Sequence, residues 1–154
     1  MAAERIAKPQ SVLFACGLNS IRSPMAMAMA QWLYGKDIYI ASAGVNKGEN
    51  DPFAVAVLDE IGLDMTKHKP HTFEELDDWE GLNFDLIVTL SPEAHHKALD
   101  LTRTAASDVE YWPTSDPSGT DGNREQMLDA YRGVRDQLMA KIKQRFGGIT
   151  SGNE

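Results

Sequence analysis

The chain has 154 residues, 42% of them hydrophobic and 25% charged, and a formal net charge of −8. That length suits one domain over residues 1–154, with 1–10 and 149–154 expected as loose tails, and the acidity argues against nucleic acid or an anionic membrane as partner. No apolar run approaches a membrane span, and the charged N-terminus does not read as a secretory signal. A single cysteine excludes an internal disulfide and suits a reducing compartment, so a cytoplasmic protein is expected.

In chain order, the apolar run 12–15 predicts a short buried strand, followed at once by Cys16. A helix is expected from near Ser23, with Pro24 early in it, to about Tyr34, stopped by Gly35. Its methionines, Met25, Met27 and Met29, and Trp32 and Leu33 read as core packing. Residues 37–41 predict a second strand, with 42–45 as the loop after it. Asp51-Pro52 opens a helix carrying Phe53, Val57, Leu58 and Ile61 at helical spacing, closed by Gly62.

Residues 64–71 form a basic loop with Lys67, His68, Lys69 and His71, and Thr72 opens a short acidic helix. A buried strand is predicted over 84–90, then a Ser91-Pro92-Glu93 helix start running to about Thr102, with His95 and His96 at its surface. A fourth strand follows over 109–112 and a loop over 113–122. The last helix spans about 123–146, with Asp121 as its cap and Met127, Tyr131, Val134, Leu138 and Ile142 as its apolar stripe; Gly147-Gly148 ends it.

Strands alternate with helices throughout. That predicts a three-layer α/β fold, a four-stranded parallel sheet with helices on both faces. Ligands of such sheets sit at the carboxyl ends of the strands, where Cys16 and the loop after Trp112 lie. There is no Gly-x4-Gly-Lys-Ser/Thr loop for a nucleotide triphosphate, and the four histidines lack metal-ligand spacing.

Attention falls on Cys16-x5-Arg22-Ser23-Pro24. A loop closing onto a helix N-terminus turns backbone N–H groups inward and adds the helix dipole, making an anion site. Arg22 can grip an oxyanion with two prongs, and the same field favours a thiolate at Cys16. A tetrahedral oxyanion then rests above a nucleophile. A lone cysteine ending a strand also suits burial as a small hydrophobe, but that leaves Arg22 without a task.

With the strand before it, Ser-Pro after it and Asp116-Pro117 downstream, this segment resembles the low-molecular-weight protein tyrosine phosphatases and the arsenate reductases of the same, flavodoxin-like fold. The resemblance implies a two-step phosphomonoesterase. Cys16 attacks phosphorus, Asp116 protonates the leaving group, and the loop amides of Gly17, Leu18, Asn19, Ser20 and Ile21, with Arg22, hold the oxyanion. Ser23 donates to the sulfur, and Asp116 then acts as base for the hydrolytic water. Asn19 matches the family's loop asparagine, braced by Ser42 and His68. The expected partner is a phosphorylated protein or small phosphoester, phosphate or sulfate should bind in the loop, and no metal or organic cofactor is implied.

Three departures qualify this. Gly17 lies one residue after the cysteine, where the family's glycine is usually two after, at the position Leu18 holds. Ile21 replaces a second cysteine that many of these phosphatases carry beside the arginine. Ser118 follows Asp116-Pro117 where an aromatic is typical, which removes a stacking partner for phosphotyrosine. The last departure favours a second reading, an arsenate reductase that relies on an external thiol or redoxin, because one cysteine rules out an internal relay. A third reading is an oxyanion- or phosphoprotein-binding module without turnover.

Overall fold

The computed structural model describes residues 9–147, so most of both expected tails and Gly148 lie outside the described residues. Four strands, β1 (Ser11–Cys16), β2 (Tyr39–Gly44), β3 (Leu86–Thr89) and β4 (Asp108–Tyr111), form one parallel sheet in the order β2-β1-β3-β4. Five α-helices connect or follow them among the described residues: α1 (Arg22–Tyr34), α2 (Pro52–Asp59), α3 (Phe73–Glu80), α4 (Pro92–Leu101) and α5 (Arg124–Phe146). The predicted three-layer α/β architecture is what forms.

The layers follow from the two-residue period of β1. Val12, Phe14 and Cys16 point to one face, where they join Met25 and Met29 of α1, Leu58 of α2 and Tyr131, Leu138 and Ile142 of α5. Leu13 and Ala15 point to the other, against Phe73 and Leu76 of α3 and Ala94 and Ala98 of α4. Each large apolar side chain taken from water contributes ~1.5–3 kcal/mol before ordering costs. Because chain order reverses at β1, with β2 on one side and β3 on the other, a crevice opens at the carboxyl ends of β1 and β3.

Several boundaries differ from expectation for local reasons. β2 begins at Tyr39, not residue 37, because the amides of Asp37 and Ile38 are spent on the Tyr34 carbonyl closing α1. It continues through Ser42, Ala43 and Gly44, expected as loop, since these small residues stay in register with Phe14, Ala15 and Cys16. β3 is shorter than the apolar run suggests, and β4 begins one residue earlier. α2 ends at Asp59, two residues before the expected Ile61.

Asn123, not Asp121, caps α5: its side chain accepts from the Gln126 amide, and Gln126 returns the bond. Leu128 takes the buried place expected for Met127, and Trp32 of α1 stays 57% exposed. His95 is not a plain surface residue. Its Nδ1 meets Thr89 Oγ1 at 2.9 Å and its ring stacks on Tyr111. No helix among the described residues is long and apolar enough to cross a membrane.

Candidate active site

Cys16 closes β1 and is only 2% exposed; the chain then loops through residues 17–21 into α1. Asp51, Thr72, Ser91 and Asn123 each cap their own helix with a side-chain acceptor. At α1 the cap position is Ile21, which offers none. Amides of the first turn of α1 therefore keep their donors for an anion, under the positive end of the helix dipole.

Asn19 shapes the loop. It is the one non-glycine residue with positive φ among those described, at 55°, in the left-handed region that asparagine tolerates. Its side chain is fully buried and fully used. Nδ2 donates to Ser23 Oγ and to Ser42 Oγ, both at 2.9 Å, and Oδ1 accepts from the His71 amide at 3.0 Å. The Asn19 carbonyl accepts from Nε2 of His68 at 2.9 Å, which fixes that nitrogen as the protonated one. Burial pushes the His68 ring below its ordinary range, opposed by that hydrogen bond. Ser42 and His68 both hydrogen-bond to Asn19.

Ser23 lies on α1 with its hydroxyl 3.0 Å from the Cys16 sulfur. Because Ser23 accepts from Asn19, its own hydrogen is free for that sulfur; the alternative acceptor, the Ala43 carbonyl, is at 3.5 Å. Arg22 is nearly buried. Its Nη1 donates to the Thr114 carbonyl at 3.0 Å and its Nη2 lies 4.0 Å from Asp116 Oδ2. Thr114 is in turn hung on β3, its amide donating to the Leu90 carbonyl at 3.1 Å. The loop after β4 therefore carries both the arginine's anchor and Asp116.

A second loop backs the first. The amides of Val45, Asn46 and Gly48 donate to the carbonyls of Cys16, Gly17 and Leu18 at 2.9–3.1 Å. Gly48 permits the close approach, since a Cβ there would stand 2.6 Å from Ser20 Oγ.

Cys16, Leu18, Ser20, Ile21, Arg22, Asp116 and Ser118 line one cavity of about 40 Å³, where a single water needs ~10–15 Å³. Leu18 stands half exposed at its mouth. A Cβ at Gly17 would meet the Glu93 carboxylate at the start of α4, and Gly17 is not among the residues that line the cavity. Thr114, Glu93 and the His71 amide were not assigned to the site from the sequence, and Ser118 was marked there only as a missing aromatic. The Arg22–Thr114 and Asn19–His71 contacts span 92 and 52 positions, and no local pattern announces such partners.

Known proteins share this arrangement of chain. Residues 11–150 match the family described as low molecular weight phosphotyrosine protein phosphatase. An arsenate reductase of Halalkalibacterium halodurans is 31% identical over 135 residues, covering 86% of this chain and 91% of its own. A glutaredoxin arsenate reductase of Synechocystis sp. is 26% identical over 141 residues, covering 92% and 99%. The tyrosine phosphatase Wzb from Escherichia coli K30, solved in complex with sulphate, superposes with a TM-score of 0.74 over 92% of this chain and 99% of its own; at 20% identity it shows the fold. The chain therefore belongs to the low molecular weight phosphotyrosine protein phosphatase family, whose relatives include arsenate reductases.

Proposed function

We propose that the protein is a cysteine-dependent phosphomonoesterase working in a reducing, cytoplasmic setting. One observation carries this reading: a buried thiol held by a serine, an arginine and a carboxylate from a distant loop all face the same small cavity.

In the first step the Cys16 thiolate attacks phosphorus. The S–P bond forms as the ester P–O bond breaks, and Asp116 gives its proton to the leaving oxygen. The amides of residues 17–22 and the Arg22 guanidinium hold the three equatorial oxygens as charge builds on them. In the second step water attacks phosphorus, its proton goes to Asp116, and the S–P bond breaks to return the thiolate that Ser23 stabilises. Asn19, tied to Ser42 and His68, keeps the loop in shape throughout.

The substrate is a phosphorylated protein or a small phosphoester. No aromatic side chain lines the cavity, so the wall gives a phosphotyrosine ring nothing to stack on. The test is hydrolysis of p-nitrophenyl phosphate against pH. Activity should vanish in Cys16→Ser and fall about a hundredfold or more in Asp116→Asn, the usual worth of a general acid. No turnover above the Cys16→Ser background contradicts the reading.

A second reading is favoured by the relatives named arsenate reductase. The Cys16 thiolate would attack arsenate, an S–As bond forming as one As–O bond breaks and its oxygen leaves, once protonated, as water. An external thiol attacking that sulfur would expel arsenite and leave a mixed disulfide, and a second thiol would free Cys16. Arsenite release from arsenate, glutathione and a glutaredoxin, in the absence of phosphatase activity, would establish it instead.

A further inference from the structure

Asp116 has two carboxylate oxygens, and the structure treats them differently. Oδ1 accepts two hydrogen bonds from one residue, the Ser118 amide at 2.9 Å and the Ser118 hydroxyl at 2.8 Å. Oδ2 has no hydrogen bond among the described residues and lies 4.0 Å from the Arg22 guanidinium. An aspartate two residues before a serine often takes its amide in an ordinary turn. The turn does not require the hydroxyl bond, and it does not explain why Asp116 and Ser118 both line the cavity above Cys16.

The consequence concerns where the proton sits. An oxygen that already accepts two hydrogen bonds is a poor place for an acid proton, because a proton there would face two donors. The neutral acid therefore carries its proton on the other oxygen. We propose that Ser118 is a positioning residue that locks the Asp116 side chain and makes Oδ2 the atom from which the proton leaves and to which it returns. This rests on the phosphatase reading.

With the acid in place, the proton on Oδ2 moves to the leaving oxygen as the P–O bond breaks and S–P forms. In the second step a water proton moves to Oδ2 as O–P forms and S–P breaks. Ser118 gives up no proton in either step. The turn is backed by the core: Pro117 is buried, and Tyr131 of α5, itself hydrogen-bonded to Asp51, lies near Asp116. Ser118 is exposed, so changing it leaves the core alone.

The experiment compares kcat/KM for phenyl phosphate, a poor leaving group, with that for 2,4-dinitrophenyl phosphate, which departs without an acid. Ser118→Ala should lose about fivefold to tenfold on phenyl phosphate, the scale of one lost ordinary hydrogen bond, and almost nothing on the dinitrophenyl ester. Ser118→Thr should restore the loss, and Ser118→Ala should add nothing in an Asp116→Asn background. Equal losses on both esters, or no loss on either, overturn the proposal while leaving the phosphatase reading intact. If the unmodified protein hydrolyses neither ester above the Cys16→Ser background, the phosphatase reading falls and this one with it.

Discussion

The hydroxyl of Ser23 stands 3.0 Å from the sulfur of Cys16, and the Asn19 side chain donates from Nδ2 to that hydroxyl at 2.9 Å. The donor is thus aimed before any substrate arrives. In the proposed mechanism it stabilises sulfur charge both when the thiolate attacks and when it leaves. A hydrogen bond to a charged group contributes ~1.5–3 kcal/mol. Ser23→Ala should therefore lower kcat/KM for p-nitrophenyl phosphate about ten- to a hundredfold. A loss under twofold would show that the hydroxyl does not serve the sulfur.

Asn19 is the loop's keystone in energy as well as shape. Asn19→Ala would orphan the buried Ser42 hydroxyl and the His71 amide and leave alanine at a φ of 55°. Each buried group left unpaired costs ~1–3 kcal/mol, and a left-handed alanine adds ~1 kcal/mol. A drop of roughly 6–28 °C in the thermal midpoint is expected, together with loss of phosphate binding. An unchanged midpoint would mean the loop does not depend on this side chain.

His68 makes stability pH-dependent. Its folded value is lowered, first by burial, from the 6.5 of an open imidazole. Below 6.5 the unfolded chain takes up a proton that the folded one refuses. The contribution is present above that pH and is lost as pH falls from there toward the folded value. Unfolding of the unmodified protein at pH 7.5 and pH 5.5 should show a larger decline than unfolding of His68→Gln, whose amide can still donate to the Asn19 carbonyl but does not titrate. Equal declines would remove His68 from the account.

Gly48 tests the second loop. A Cβ there would come within 2.6 Å of Ser20 Oγ, so the serine hydroxyl must swing and the cavity wall must change. Gly48→Ala should raise KM for p-nitrophenyl phosphate about threefold, equivalent to ~0.6 kcal/mol, with kcat unchanged. Adding Ser20→Ala removes the colliding atom and should recover most of the loss. A KM that stays put in Gly48→Ala would mean the second loop does not shape the cavity.

Much of this was legible because it is local. The strand before Cys16, the Ser-Pro start of α1 and the Asp-Pro turn are all written within a few residues of the atoms concerned, and the alternation of elements dictates a parallel sheet. Ser42 was expected in a loop and lies in β2, because pairing with Phe14 depends on a partner far away in the chain. His95 was expected at the surface for the same reason: Thr89 and Tyr111, which cover it, come from two different strands. Thr114 carries no chemical signature at all, since what it lends Arg22 is a backbone carbonyl. Ser118 was noticed only as an absent aromatic. Its hydroxyl mattered once the turn had folded it back onto Asp116.

The proposed phosphatase mechanism requires that Cys16 become covalently phosphorylated. The most direct measurement is to stop turnover of p-nitrophenyl phosphate in denaturant and map the modified peptide by mass spectrometry. The mechanism predicts one phosphoryl group, on Cys16, absent from Cys16→Ser and accumulating in a variant slowed at hydrolysis such as Asp116→Asn. Steady turnover with Cys16 unmodified, or a phosphoryl group on any other residue, would contradict it.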